Sequence, residues 1–156
     1  MSKSLKRVVL ALDQAGLDII PVEMTAGART AQAAADAVGC DLDQIAKSII
    51  FRGAESGVAI LFITTGGNQV CADLASAVVG EALGKADAAL IRSQTGFAIG
   101  GVSPVGHVSP IRAFFDPKLL EFDVIWAAAG TPRHVFGINP AELQQISGAQ
   151  VADFTS

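Results

Sequence analysis

The sequence predicts an α+β fold, or mixed α/β, with helices flanking a mostly antiparallel central sheet. Two observations carry this. Two β-rich runs, QIAKSIIFR (44–52) and VAILFITT (58–65), are separated only by GAESG, a hairpin-sized loop. The helical segments that interrupt the other strands follow no regular strand–helix alternation, as a doubly wound parallel sheet would require. No linker, repeat or low-complexity stretch divides the 156 residues, so one domain over 1–156 is expected.

Each element has a local reason. Residues 3–15 place Leu5, Val8, Val9 and Leu12 at helical spacing, and Gly16 stops the helix. DIIPVEM (18–24) is a short strand that Pro21 places at an edge or makes irregular. TAQAAADAVG (30–39) is a helix with Thr30 as N-cap and Gly39 as its stop. The hairpin follows. NQVCADLASAVVG (68–80) starts extended and turns helical, and another helical segment lies within 86–94. IRAFFD (111–116) and FDVIWAAAG (122–130) are strands with PKLL as a turn between them, and RHVFGI (133–138) is a further short strand. NPAELQQISG (139–148) has Asn139 as N-cap, Pro140 at the first helical position and Glu142 at the third. AQVADF closes the chain.

Composition removes several function classes. Half the residues are hydrophobic, at 51%, yet no apolar run approaches the ~18 residues of a membrane span. Basic residues precede apolar ones at the N-terminus as in a signal peptide, but Asp13 and Gln14 cut that run short, so a cytoplasmic protein without a membrane partner is expected. Cys40 and Cys71, with only His107 and His134 to help, are a poor ligand set; neither a metal nor a cofactor is expected. A net charge of −4 argues against a broad nucleic-acid footprint and against DNA as a partner.

Three features carry chemistry. Lys47 shares one face of its strand with Ile45, Ile49 and Phe51, a costly place for an ammonium. It either snorkels from the strand end or lines a cleft where it meets a phosphate or a developing negative charge. The second feature is SQTGFAIGGVSPVGH (93–107), rich in glycine. It is no P-loop, because no lysine follows the glycines. It misses the serine-hydrolase elbow too: in GVSPV, Val105 stands where the last glycine belongs, and Pro104 after Ser103 has no amide for an oxyanion. A main-chain-lined pocket and a plain surface loop remain. The third is His134, which shares a strand face with Phe136 and Ile138 and reads as a hydrogen-bonded core residue or a site residue. His107 is expected to face solvent.

Taken together, TAQAAADAVGCDLDQIAKSIIFR, GFAIGGVSPVGH and FDVIWAAAGTPRHVFGINPAELQQISGAQVADF resemble the YbaK/ProX-type aminoacyl-tRNA editing domain over roughly residues 25–154. The resemblance implies a free-standing trans-editing hydrolase related to the insertion domain of some prolyl-tRNA synthetases. It would cleave, without metal, the ester between a small non-cognate amino acid and the terminal adenosine of tRNA, with tRNA-Pro among the candidates. It assigns Lys47 to the terminal nucleotide or phosphate, and the G-x-x-x-P loop to Gly100–Pro104, with Gly100 and Gly101 positioning the carbonyl or the attacking water. Ser103, Pro104, Gly130 and His134 would contact substrate. Partners would be the tRNA acceptor end and a recruiting synthetase, since an acidic chain neutralises few phosphates. The rival readings are a non-catalytic module of the same fold that binds a nucleotide or aminoacyl group, and a hydrolase of other small esters.

Overall fold

The structure is a computed structural model and describes residues 1–25 and 30–156. Helix α1 (Lys3–Gln14) starts at Ser2, whose Oγ accepts the Leu5 N–H at 3.1 Å, and buries Leu5, Val8 and Leu12 as their spacing requires. Strand β1 (Val22–Glu23) lies on a sheet edge directly after Pro21. Helix α2 (Ala31–Val38) is capped by Thr30 Oγ1 on the Ala33 N–H at 3.1 Å and ends at Gly39 with φ 75°. Strands β2 (Ile45–Gly53) and β3 (Ala59–Thr65) form the hairpin, in register from Ala46↔Thr65 to Arg52↔Ala59.

The second half holds α3 (Ala72–Val79), β4 (Leu83–Lys85), α4 (Ala88–Thr95), β5 (Arg112–Phe115), β6 (Ile125–Ala128), β7 (His134–Ile138), α5 (Pro140–Ser147) and β8 (Gln150–Val151). PKLL sits in a short 3₁₀ helix, Pro117–Glu121. Asn139 caps α5 by accepting the Ala141 N–H at 3.0 Å. Strand β4 escapes the sequence reading because Leu83–Lys85 is too short to show a period.

The fold is the expected mixture of helices and one sheet. Its order is β1-β7-β6-β2-β3-β5-β8, with β4 beside β2. The pairs β1–β7, β2–β3, β2–β4 and β6–β7 are antiparallel, whereas β2–β6, β3–β5 and β5–β8 are parallel. Parallel neighbours join strands that are distant in sequence, and no local turn signal announces them.

Strand β3 is central and buried on both faces. Leu61 and Ile63 join Leu5, Val8, Leu12, Ile91 and Leu143 from α1, α4 and α5. Ile60 and Phe62 face Ala75 and Val79 of α3, with Phe114 and Phe154. The same alternation sorts β2. Ala46 and Ile50 pack toward the first cluster, while Ile49 and Phe51 pack toward the second. Lys47 therefore sits on the Ile49–Phe51 side, as its spacing predicts.

Candidate active site

Strand β2 changes neighbours along its length. It pairs with β6 only at Ile45↔Trp126 and Ala46↔Ala127, and with β4 only from Phe51 onward. Between these contacts one edge of β2 is open. The Gly53 N–H bonds Val58 across the hairpin and the Ala54 N–H bonds Ala82 on the β4 side. By alternation, the amide and carbonyl of Ser48 turn toward the opening. A cleft of about 300 Å³ lies at this splay. Its walls include Lys47 and Ser48 of β2, Trp126 and Ala128 of β6, His134 of β7, and Gly100, Val102 and Thr131 from two loops.

Lys47 is half-buried, and its Nζ donates to the Asn68 carbonyl at 2.6 Å. Among the described residues no carboxylate lies within ion-pair distance of it. Burial pushes the ammonium below its ordinary pKa, and the more distant Asp43 charge works the other way. An ammonium with one neutral acceptor keeps two N–H donors and its charge for an anion.

The two loops are joined by glycines. A Cβ on Gly101 would sit 3.0 Å from the Thr131 Cα and 3.2 Å from the Gly130 carbonyl oxygen. Gly130 has φ +93°, and a Cβ there would lie 2.7 Å from the Ser4 carbonyl oxygen. Gly100 has φ +92° but open space around it. Glycine is thus required for backbone angle at Gly100, for close approach at Gly101, and for both at Gly130. The Gly100 and Val102 amides have no acceptor among the described residues.

His134 is fixed from one side. Thr131 Oγ1 accepts the Arg133 and His134 amides, each at 3.1 Å, and lies 2.6 Å from His134 Nδ1. With both amides pointing at the oxygen, the hydroxyl proton points to Nδ1. That leaves the Nε2–H tautomer, directed at Glu23 Oε2 3.7 Å away.

Residues 25–146 match the family described as the aminoacyl-tRNA editing domain. The chain belongs to the aminoacyl-tRNA editing domain family. A crystal structure described as a candidate trans-editing enzyme for prolyl tRNA synthetase is 45% identical, with a TM-score of 0.93 over 100% of this chain and 99% of that one. The hypothetical protein APE2540 is 25% identical, with a TM-score of 0.88 over 96% of this chain and 99% of its own. In Bacillus subtilis (strain 168), the uncharacterized protein YwhH is 28% identical over 95% of this chain and 94% of its own length.

Within this editing domain, Lys47, Gly100 and His134 share the cleft, and Gly101 and Gly130 hold the walls together. Ser103 and Pro104 lie elsewhere. The Ser103 side chain is fully buried, with its Oγ accepting the Val105 N–H at 3.3 Å, and Pro104 lines a separate groove with Ala11 and Ile146.

His107 departs from its expected solvent-facing position. Its Nε2 donates to the Ser103 carbonyl at 2.7 Å, its ring meets Phe97 edge-on at 5.2 Å, and Nδ1 is buried without a partner. Burial foremost, and the nearby Arg7 charge, push its pKa down against the pull of the Ser103 carbonyl, so the uncharged ring is favoured. Arg7 closes this region by donating to the Gly96 and Gly106 carbonyls at 2.6 and 3.1 Å and lying over Phe97. A helix nearly a hundred residues away in sequence buries this loop, and no pattern within the loop reveals it.

Residues to which the sequence assigns no role of their own also line the cleft: Ser48 of β2, Trp126 and Ala128 of β6, and Val102 inside the Gly100–Pro104 loop. Period-two alternation places Trp126 and Ala128 on one strand face, but their shared cleft depends on the long-range pairing of β6 with β2. Among the described residues no group of three or more His, Cys, Asp or Glu side chains could hold a metal, and no helix is long and apolar enough to cross a membrane.

Proposed function

We propose that this chain hydrolyses the ester of mischarged aminoacyl-tRNA as a trans-editing deacylase, acting on tRNA that carries a small non-cognate amino acid. The observation that carries the proposal is Lys47, a half-buried ammonium without a carboxylate partner among the described residues, in a cleft also walled by Gly100 and Val102. The ammonium holds the phosphate of the terminal nucleotide. This fixes the ester against the glycine loop, where the Gly100 and Val102 amides are available to a carbonyl oxygen that gains charge as water attacks. His134 borders the aminoacyl end.

An aminoacyl ester is an activated substrate, so positioning, a water molecule and donors suffice. The free ribose hydroxyl of the terminal adenosine assists proton transfer. Ser103 takes no part as nucleophile, since its hydroxyl is buried and Pro104 supplies no amide. Selection is by size exclusion at the glycine loop, which rejects the larger cognate residue; this matters because one methylene in an apolar pocket is worth only ~1–3 kcal/mol. The tRNA is gripped at its acceptor end, with a synthetase as the recruiting partner, and the protein works in the cytoplasm without a cofactor.

The test is deacylation across a panel of mischarged tRNAs, with p-nitrophenyl acetate as a generic ester and an EDTA-treated sample alongside. Rapid, EDTA-resistant hydrolysis of one or a few small aminoacyl-tRNAs is expected. Binding of the tRNA end without turnover would replace this reading with a non-catalytic module.

A further inference from the structure

We propose that Asp116 is a positioning residue that acts through Asn68 to aim the Lys47 ammonium into the cleft. The inference deepens the proposed function, resting on Lys47 as the group that holds the substrate.

Lys47 Nζ is held by the main-chain carbonyl of Asn68, so its position depends on what fixes the turn at 66–68. That turn has little freedom. A Cβ on Gly66 would collide with the Leu42 carbonyl, and one on Gly67 with the Asp43 carboxylate. The Gly67 N–H donates to Asp43 Oδ1 at 2.9 Å, and Asp43 is itself tied to Lys118 at 3.1 Å. The Asn68 side chain donates to Asp116 Oδ2 at 2.9 Å.

Asp116 is only 3% exposed, and its two oxygens have separate tasks. Oδ1 accepts the Lys118 N–H at 2.9 Å and caps the 3₁₀ helix. A cap alone needs no second oxygen. Oδ2 accepts both the Asn68 amide and the Thr64 hydroxyl, the latter at 2.7 Å. Thr64 is the direct cross-strand partner of Lys47. One buried carboxylate oxygen therefore grips the residue opposite Lys47 and the residue whose carbonyl receives its ammonium. A carboxylate placed this deep is costly unless its acceptors are satisfied, and two of the three donors that satisfy it border Lys47.

Asp116→Asn isolates this role. Its remaining oxygen can still cap the 3₁₀ helix, while its NH₂ faces the Asn68 NH₂, donor against donor. Asn68→Ala breaks the same link from the other side and keeps the test open if Asp116→Asn fails to fold. Two readouts are needed. Trace acetylation with acetic anhydride, followed by mass spectrometry, compares Lys47 with exposed Lys85 in the same molecule. Single-turnover deacylation separates the half-saturating protein concentration from the saturated rate.

Losing one hydrogen bond in the relay is expected to change relative Lys47 labelling, and to raise the half-saturating concentration, by about three- to tenfold. The saturated rate should change much less. The double variant should do no more than either single one. A folded variant with unchanged Lys47 labelling overturns the proposal and leaves Asp116 a helix cap. Because labelling needs no substrate, it decides the matter even for a protein that deacylates nothing, an outcome that would refute the proposed function instead.

Discussion

Three glycines around the cleft are irreplaceable for different reasons, so alanine at each should fail by a different amount. At Gly100 the nearest heavy atom to a new Cβ is Pro132 Cγ at 4.0 Å, so space is not limiting, but φ is +92°. Holding an L-residue in left-handed backbone costs about 1–2 kcal/mol. At Gly101 the backbone angle is ordinary, and the obstacle is steric. The new methyl would lie 3.0 and 3.1 Å from the Thr131 Cα and carbonyl carbon, atoms of the opposing main chain that cannot rotate away. Overpacking of this kind costs about 1–3 kcal/mol and moves backbone. Gly130 combines φ +93° with a 2.7 Å approach to the Ser4 carbonyl, so both penalties apply and their sum is about 2–5 kcal/mol.

Thermal melting reads these costs at about 2–4 °C per kcal/mol for a chain of this length, with Gly130→Ala lowest. Deacylation reads them differently. Gly101→Ala pries the 100–102 loop from the 130–131 loop, and a displacement near 1 Å at a reacting ester costs about a hundredfold. A Gly101→Ala protein that melts within 1 °C of the parent and deacylates at full rate would show that these loops need not touch.

Other outcomes follow from the same geometry. The folded pKa of His107 lies below its unfolded value of 6.5, so the unfolded chain takes up the proton first. Stability should be full above pH 6.5 and decline as pH falls through the folded value, by at most ~1.4 kcal/mol per pH unit. His107→Gln, which keeps a donor for the Ser103 carbonyl, should flatten this slope in urea melts at pH 7.5 and 5.5; an unchanged slope would clear His107. Ser103→Ala should retain substantial deacylase activity, because the hydroxyl is buried and bonds only the Val105 amide at 3.3 Å. A covalent acyl-enzyme at Ser103 in mass spectra would refute that. Arg7→Ala removes two charge-assisted bonds to the Gly96 and Gly106 carbonyls and should destabilise by about 2–4 kcal/mol in urea unfolding; a loss under 0.5 kcal/mol would mean that the loop is held by packing alone.

Much of the architecture is legible in the sequence where forces are local. The Thr30 and Asn139 caps, the Gly39 stop and the β2–β3 hairpin each depend on residues a few positions apart. Lys47 stands out for the same reason, as a charge that breaks an apolar alternation. What stays hidden is non-local. The cleft exists because β6 leaves β2 after Ala46↔Ala127, and the pairing of strands eighty residues apart has no local signature. Arg7 reaches Gly96 and Gly106 from the first helix and converts an apparently exposed histidine into an enclosed one. Asp116 caps the 3₁₀ helix at PKLL, which the sequence shows only as a turn, and its second oxygen finds Thr64 and Asn68 only through the parallel β3–β5 pairing.

The central claim is that the Lys47 ammonium holds the terminal nucleotide while the glycine loop presents the ester to water. Single-turnover hydrolysis of a mischarged tRNA by Lys47→Ala, with thermal melting as the folding control, tests it most directly. A charge-assisted hydrogen bond lost near the ester is worth roughly 1.5–3 kcal/mol, a ten- to hundredfold loss of rate. Lys47→Arg should restore only part of it, because a planar guanidinium does not occupy the place of a compact ammonium beside the Asn68 carbonyl. A folded Lys47→Ala protein that deacylates at near-parental rates would contradict the account.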